Sequence, residues 1–174
     1  MEGYFETVVA TLEAAGYRWY ETANFCLEGV AAGTDAAGRP RDLRAQHNLG
    51  YWLARDYLGI GIGAVSTVAG LRWRNAPKLA AYVEALGRGA APPREAEPLD
   101  AATRATERVM LGLRLDEPLA VAADSPGDIR AVVDAAALER CVRLGLVEAG
   151  ADGTLRLTRR GRFLGGGVTA ELLA

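Results

Sequence analysis

The residues best equipped for chemistry lie in one stretch, Gln46-His47-Asn48-Leu49-Gly50-Tyr51-Trp52, which runs through Tyr57-Leu58 into Gly59-Ile60-Gly61-Ile62-Gly63-Ala64-Val65-Ser66. His47 is the only histidine of the chain, and two large aromatics follow it within five positions. A neutral imidazole ligates iron, and Tyr and Trp pack on a flat aromatic ligand while their polar ends stay hydrogen-bonded. Such a donor set could hold a porphyrin. On residue types alone, however, a single histidine beside Tyr and Trp is more often a hydrogen-bonded core residue that binds nothing. Glycine at 59, 61 and 63 would, in an extended strand, leave three bare positions on one face for another backbone or a ligand to approach. The G-x-G-x-G spacing, with no helix opening on it, argues against a dinucleotide-binding loop.

Composition narrows the classes. At 174 residues and 50% hydrophobic, the chain is long enough for one domain or two small ones. Its 20 basic and 22 acidic side chains leave a net charge of −2, so no strong field selects nucleic acid or an anionic membrane. The cluster Arg156, Arg159, Arg160 and Arg162 does not change this, because residues 130 to 174 carry seven basic and five acidic side chains, too small an excess to grip phosphates. Two distant cysteines, Cys26 and Cys141, form neither a metal cluster nor a disulfide framework, and each reads as an ordinary buried thiol. With no signal-peptide pattern at Met1-Glu2-Gly3-Tyr4 and no membrane span, the expectation is a cytoplasmic protein.

The elements that must position the stretch follow from periodicity and punctuation. Phe5, Val8, Val9 and Leu12 predict a helix from Tyr4 to Ala15, closed by Gly16. Arg18 to Phe25 reads as a strand, Leu27 to Ala45 as a loop, and Leu58 to Val68 as a buried strand. Pro77 to Leu86 predicts a helix that starts at its proline, and Gly87 to Glu95 has a linker's composition. Beyond it, Asp100 is placed to cap a helix carrying Val109, Met110 and Leu113, and a second helix is expected from Ile129 to Leu144. Leu146-Val147-Glu148, the turn Asp152-Gly153 and Leu155 to Thr158 predict a hairpin. A last helix from about Arg159 should be interrupted by Gly165-Gly166-Gly167.

His47-Asn48-x-x-Tyr51-Trp52 followed by Tyr57-Leu58-Gly59-Ile60-Gly61 resembles a signature of the HemW-like haem chaperones, a radical S-adenosylmethionine family also described as oxygen-independent coproporphyrinogen III oxidase-like. Five further groups fall in the same order as in that family. They are Gly16-Tyr17 with Tyr20-Glu21-x-x-Asn24-Phe25; Arg72-Trp73-x-Asn75; Glu107-x-x-Met110-Leu111-x-Leu113-Arg114; Gly145-Leu146; and Leu155-Arg156-Leu157-Thr158-x-x-Gly161-Arg162. The resemblance covers only the C-terminal part of the family. It implies an α/β fold in which residues 1–88 supply C-terminal strands and helices of a partial radical-SAM (β/α) barrel, residues 89–98 a linker, and residues 99–174 a small α+β winged-helix-like C-terminal domain.

The same resemblance implies haem as ligand, with His47 the candidate for the iron, Asn48 orienting the imidazole or the propionates, and Tyr51 and Trp52 lining the flat face. It places Gly61, Gly63, Ala64 and Ser66 on the S-adenosylmethionine side of the family's pocket. Two departures stand out: Leu27 to Ala45 is longer than in the family, and Val65 replaces a histidine that many members carry. The family holds a [4Fe–4S] cluster on Cys-x3-Cys-x2-Cys, which is missing here, so the chain as given is not expected to do radical chemistry. One function implied is capture of haem for transfer to an acceptor protein. The other is that of a truncated coproporphyrinogen III oxidase-like oxidoreductase, inactive without its cluster-binding segment. A few barrel strands alone leave an open edge, which predicts a homodimer or contact with a missing N-terminal segment.

Overall fold

A computed structural model of the chain describes residues 2–120 and 128–174. In order, the first half runs α1 (Glu2–Ala14), β1 (Tyr17–Glu21), β2 (Asn24–Leu27), a 3-10 turn (Gly29–Ala32), α2 (Gln46–Trp52), β3 (Val65–Val68), β4 (Leu71–Asn75), α3 (Leu79–Gly87) and β5 (Arg94–Pro98). The second half runs α4 (Ala101–Gly112), β6 (Leu119–Ala120), a 3-10 turn (Ile129–Ala131), α5 (Ala135–Arg143), β7 (Val147–Ala149), β8 (Thr154–Leu157), α6 (Arg159–Phe163) and α7 (Gly165–Leu172). The expected mixed α/β architecture is present. Among the described residues the strands form three small antiparallel sheets, ordered β1-β2, β3-β4-β5 and β6-β8-β7.

Local chemistry explains most element ends. Helix α1 stops where Gly16 turns left-handed at φ 84, as its sequence predicts. Residues 18–25, expected as one strand, instead reverse into the β1–β2 hairpin. The Glu21 carboxylate closes the reversal, accepting from Ala23 N at 3.2 Å and Asn24 Nδ2 at 2.6 Å. Phe5, Trp19 and Phe163 then meet with ring centroids 5.1–5.6 Å apart, joining α1 and the hairpin to α6.

The glycine-rich stretch departs furthest from its reading. Only Val65–Val68 is strand, and Leu58 and Ile60, expected to be buried, are 68% and 85% exposed. Gly61 and Gly63 take φ of 109 and 66, so they serve an irregular turn rather than an alternating bare face. Tyr82 Oη accepts from Gly61 N, and Asn75 grips the turn from Nδ2 to Gly61 O and from its carbonyl to Gly63 N.

Other boundaries shift for readable reasons. Pro77 stands outside α3, which begins after Lys78. Arg94–Pro98, within the expected linker, is strand β5 and pairs with β4 from Leu71↔Pro98 to Asn75↔Arg94. A strand exposed along its whole length carries no apolar alternation, so its composition looks like a linker's. Asp100 caps α4 through Thr103 N at 2.7 Å, as expected. The helix expected over 129–144 is divided, because Asp128 caps the 3-10 turn and Asp134 caps α5. The β7–β8 hairpin is found, and the two-residue β6 adds a third strand that had no sequence signal. The glycine run opens α7 rather than breaking a longer helix, the chain bending at Leu164.

The main core lies in this second half: Val109, Leu113, Ile129, Cys141, Val147, Leu155, Leu157, Val168 and Leu172. Each large aliphatic buried there contributes about 1.5–3 kcal/mol. Gly161 lets α6 lie on the start of β7, since a Cβ at that position would sit 1.9 Å from Leu146 O.

Candidate functional site

The β1–β2 hairpin is the foundation of the site. Tyr20 is buried, and its hydroxyl accepts from Ala45 N at 3.1 Å immediately before α2. With Cys26, Leu49 and Leu115 it forms a small apolar cluster on which Trp52 packs. Glu21, fully buried, receives Arg114 Nε at 2.8 Å and Nη2 at 2.6 Å, and the Arg114 guanidinium lies over the Trp52 ring at 4.3 Å. Tyr20 and Glu21 therefore set the start of α2 and, through Arg114, the plane of its last aromatic. The long loop before α2 is tied down as well. Arg44 bonds Asp42 and reaches Glu117 at 2.5 Å, and this holds the Asp42 carboxyl well below the usual carboxylate range.

On α2, His47 and Tyr51 are one turn apart and meet edge-on at 5.0 Å, and Tyr51 meets Tyr57 in the same manner at 4.8 Å. His47 is exposed and Asn48 half-buried. Beyond Tyr51 opens a cleft of about 760 Å³, bounded by residues 51–57, by the β3–β4 turn and by α4. In its wall Arg72 makes a bidentate ion pair with Glu107, both distances 2.7 Å, and this contact pushes the arginine's pKa up. Asp56 accepts from Ala69 N at 3.0 Å and so braces the β3–β4 turn. Ala54 and Ala69, each at φ 50, are the non-glycine residues with positive φ among those described, and both line the cleft. Strain of this kind gathers where surrounding structure holds a functional surface in place.

The structure thus brings Tyr51 and Trp52 to the cleft wall and leaves His47 and Asn48 one helical turn outside it. Gly61, Gly63, Ala64 and Ser66 do not line it. Ser66 is fully buried with its hydroxyl accepting from Gly59 N at 3.0 Å, while the Ala64 carbonyl accepts from Asn75 N. Sequence reasoning missed Arg104 and Arg108 as wall residues, and missed Arg72 and Glu107 as a pair. A signal existed: Arg104, Glu107, Arg108 and Leu111 follow the i, i+3, i+4, i+7 spacing of one helix face.

The residues present do not fit an iron–sulfur cluster. Cys26 lies in β2 and Cys141 in α5, buried in separate clusters, and burial pushes the Cys26 thiol up, away from the thiolate a metal needs. Among the described residues no three His, Cys, Asp or Glu side chains converge as metal ligands. No described helix is long and apolar enough to cross a membrane.

Residues 99–164 match the HemN C-terminal domain family, which defines the class of the second half. The fold as a whole is similar to that of a coproporphyrinogen III oxidase, HemN from Escherichia coli, described as a radical SAM enzyme. The TM-score is 0.62 at 20% identity, over 98% of this chain and 40% of that one. In sequence, 172 residues are 34% identical to Heme chaperone HemW of Mycobacterium tuberculosis, covering 97% of this chain and 38% of the relative. Heme chaperone HemW of Bacillus subtilis is 28% identical over 63% of this chain and 26% of its own length. Residues 99–164 thus belong to the HemN C-terminal domain family, the chain is similar to Heme chaperone HemW over nearly its whole length, and it spans well under half the length of these relatives.

Proposed function

We propose that this chain is a haem-handling part of a HemW-like chaperone, with His47 ligating the iron and the haem passing on to an acceptor protein. The observation that carries this reading is the 34% identity to Heme chaperone HemW over 97% of the chain. The site gives it a physical form. His47 is exposed on the first turn of α2, and no second histidine competes for iron. Its ring adjoins Tyr51, and Tyr51 and Trp52 supply flat apolar surface beside it. An imidazole at the surface, rather than at the bottom of a closed pocket, leaves the bound iron open to exchange with an acceptor's ligand, as a carrier requires. The same reading includes a partner along the open sheet edge: β5 is an outer strand exposed along its whole length, whereas the outer side of β3 is already joined to Tyr57 at Thr67.

Haem titration of the parent chain and of His47→Ala tests the assignment. The expected result is one haem per chain with a shifted Soret band in the parent, and loss of that shift in the variant. An unchanged spectrum and affinity in His47→Ala would leave the histidine a structural residue.

A further inference from the structure

The cleft beside α2 carries a charge pattern that His47 does not explain. Four arginines line it, Arg55, Arg72, Arg104 and Arg108, against two carboxylates, Asp56 and Glu107. One carboxylate is spent on the bidentate pair with Arg72, and the other binds the Ala69 amide. The cleft is therefore locally cationic in a chain whose net charge is −2. Arg104 is the central case. It reaches from α4 across to the β3–β4 turn, where a Cβ on Gly70 would lie 3.3 Å from its Nη1. Among the described residues its guanidinium has no carboxylate within ion-pair distance, and its Nε is buried without a partner. Trp52 Nε1, in the same wall, is also buried without a partner. Arg108 Nη1 in that wall is likewise buried without a partner, and three buried donors lacking acceptors, two of them on charged groups, cost stability unless something compensates them. An anion in the cleft supplies that compensation for Arg104.

The other walls specify what kind of anion. Tyr51, Trp52 and Tyr57 present aromatic surface, with Met110 and Leu111 opposite on α4. The volume, about 760 Å³, falls in the range of sites for flat molecules of cofactor size. A small hydrated anion has no use for those walls, and a neutral aromatic leaves Arg104 uncompensated. We infer that the cleft between α2, the β3–β4 turn and α4 recognises the carboxylate edge of a porphyrin, Arg104 being the principal anion partner and Arg55 the outer one. This rests on the haem reading above but assigns different residues and a different part of the ligand: recognition through the propionates, independent of iron.

Because the recognition is iron-independent, the probes are protoporphyrin IX without metal and its dimethyl ester, titrated against the full chain by quenching of tryptophan fluorescence. The free diacid is expected to bind the parent, and the ester to bind about tenfold more weakly, the loss typical of one charge-assisted hydrogen bond. Arg104→Gln should weaken the diacid by about the same factor without weakening the ester further, while Arg104→Lys retains most of the affinity. Arg55→Gln should have a smaller effect, and His47→Ala none on either iron-free probe. Equal affinity of diacid and ester for the parent, which needs no variant to fold, overturns the inference. So does failure of the diacid to bind, or an unchanged affinity in Arg104→Gln. Loss of the haem Soret shift in His47→Ala alongside any of these results would leave the iron-ligand reading standing without this one. Arg104-dependent diacid binding with an indifferent His47 would do the reverse.

Discussion

The half of the molecule that carries the cleft and the half that follows it are built on different principles. From α4 to α7 a continuous aliphatic core of nine buried residues holds three helices to a small sheet. Around α2 the buried cluster shrinks to Tyr20, Cys26, Leu49 and Leu115, and positions are set by directed polar ties: Tyr20 to Ala45, Glu21 to Arg114, Arg72 to Glu107 and Asp56 to Ala69. Apolar burial is strong but indifferent to direction, whereas hydrogen bonds and ion pairs fix angles at modest net energy. The second kind sets Tyr51, Trp52 and Arg104 in the wall of the cleft. Helix α4 belongs to both halves, burying Val109 in the core and offering Arg104 and Glu107 to the cleft.

Breaking the aliphatic half should cost most. Leu172→Ala removes a fully buried side chain from α7, and we expect a loss of about 4 kcal/mol in urea unfolding, from transfer and cavity terms together. A loss below about 1 kcal/mol would mean that this core is loosely packed. Glu21→Ala attacks the polar half by removing the acceptor of Arg114, Asn24 and Ala23, and should cost about 3 kcal/mol. It should also alter the fluorescence of Trp52, which Arg114 covers, whereas Leu172→Ala should not. If both variants moved that signal alike, the contrast between the halves would fail.

Smaller changes sharpen the comparison. Ala69→Gly relieves a left-handed alanine at the β3–β4 turn, and the gain, offset by glycine's greater unfolded freedom, should stay within about 1 kcal/mol. Thermal unfolding measures it, and a clear destabilisation would show that the alanine methyl packs usefully against the cleft. The smallest effect is that of Asp42. Arg44 holds its carboxyl below the ordinary range of about 3.9, so its contribution is present above that unfolded value and is lost as pH falls through the depressed folded one. Because the side chain is 45% exposed, the contribution at neutral pH is discounted to a few tenths of a kcal/mol. Acid unfolding of Asp42→Asn should accordingly show a shallower decline below about pH 4 than the parent.

What the sequence determined by itself was local chemistry and the grouping of residues. Gly16 ends α1, Asp100 starts α4, and Asp152-Gly153 turns the β7–β8 hairpin, because a cap or a tight turn needs only its own few residues. The groups that suggested a family are also legible afterwards as structural ties. Tyr20, Glu21 and Asn24 brace the start of the site, Arg72 and Asn75 hold the middle sheet to α4 and to the glycine turn, and Thr158 caps α6 with Gly161 fitting beneath Leu146.

Only the tertiary structure decided the rest. The β1–β2 reversal depends on one glutamate that must also meet an arginine 93 residues away. Strand β5 owes its form to β4, since nothing in Arg-Glu-Ala-Glu-Pro favours a strand in isolation. The glycine run at 59–63 looked like a strand because alternation in sequence says nothing of φ, and positive φ is what bends the chain there. The cleft itself exists only because Trp52, Arg72 and Arg104 come from three separate elements. Residue types can show that an imidazole and aromatics stand close together in the chain. Whether they share a wall with uncompensated guanidiniums is settled by packing across long sequence separations, where no local pattern reaches.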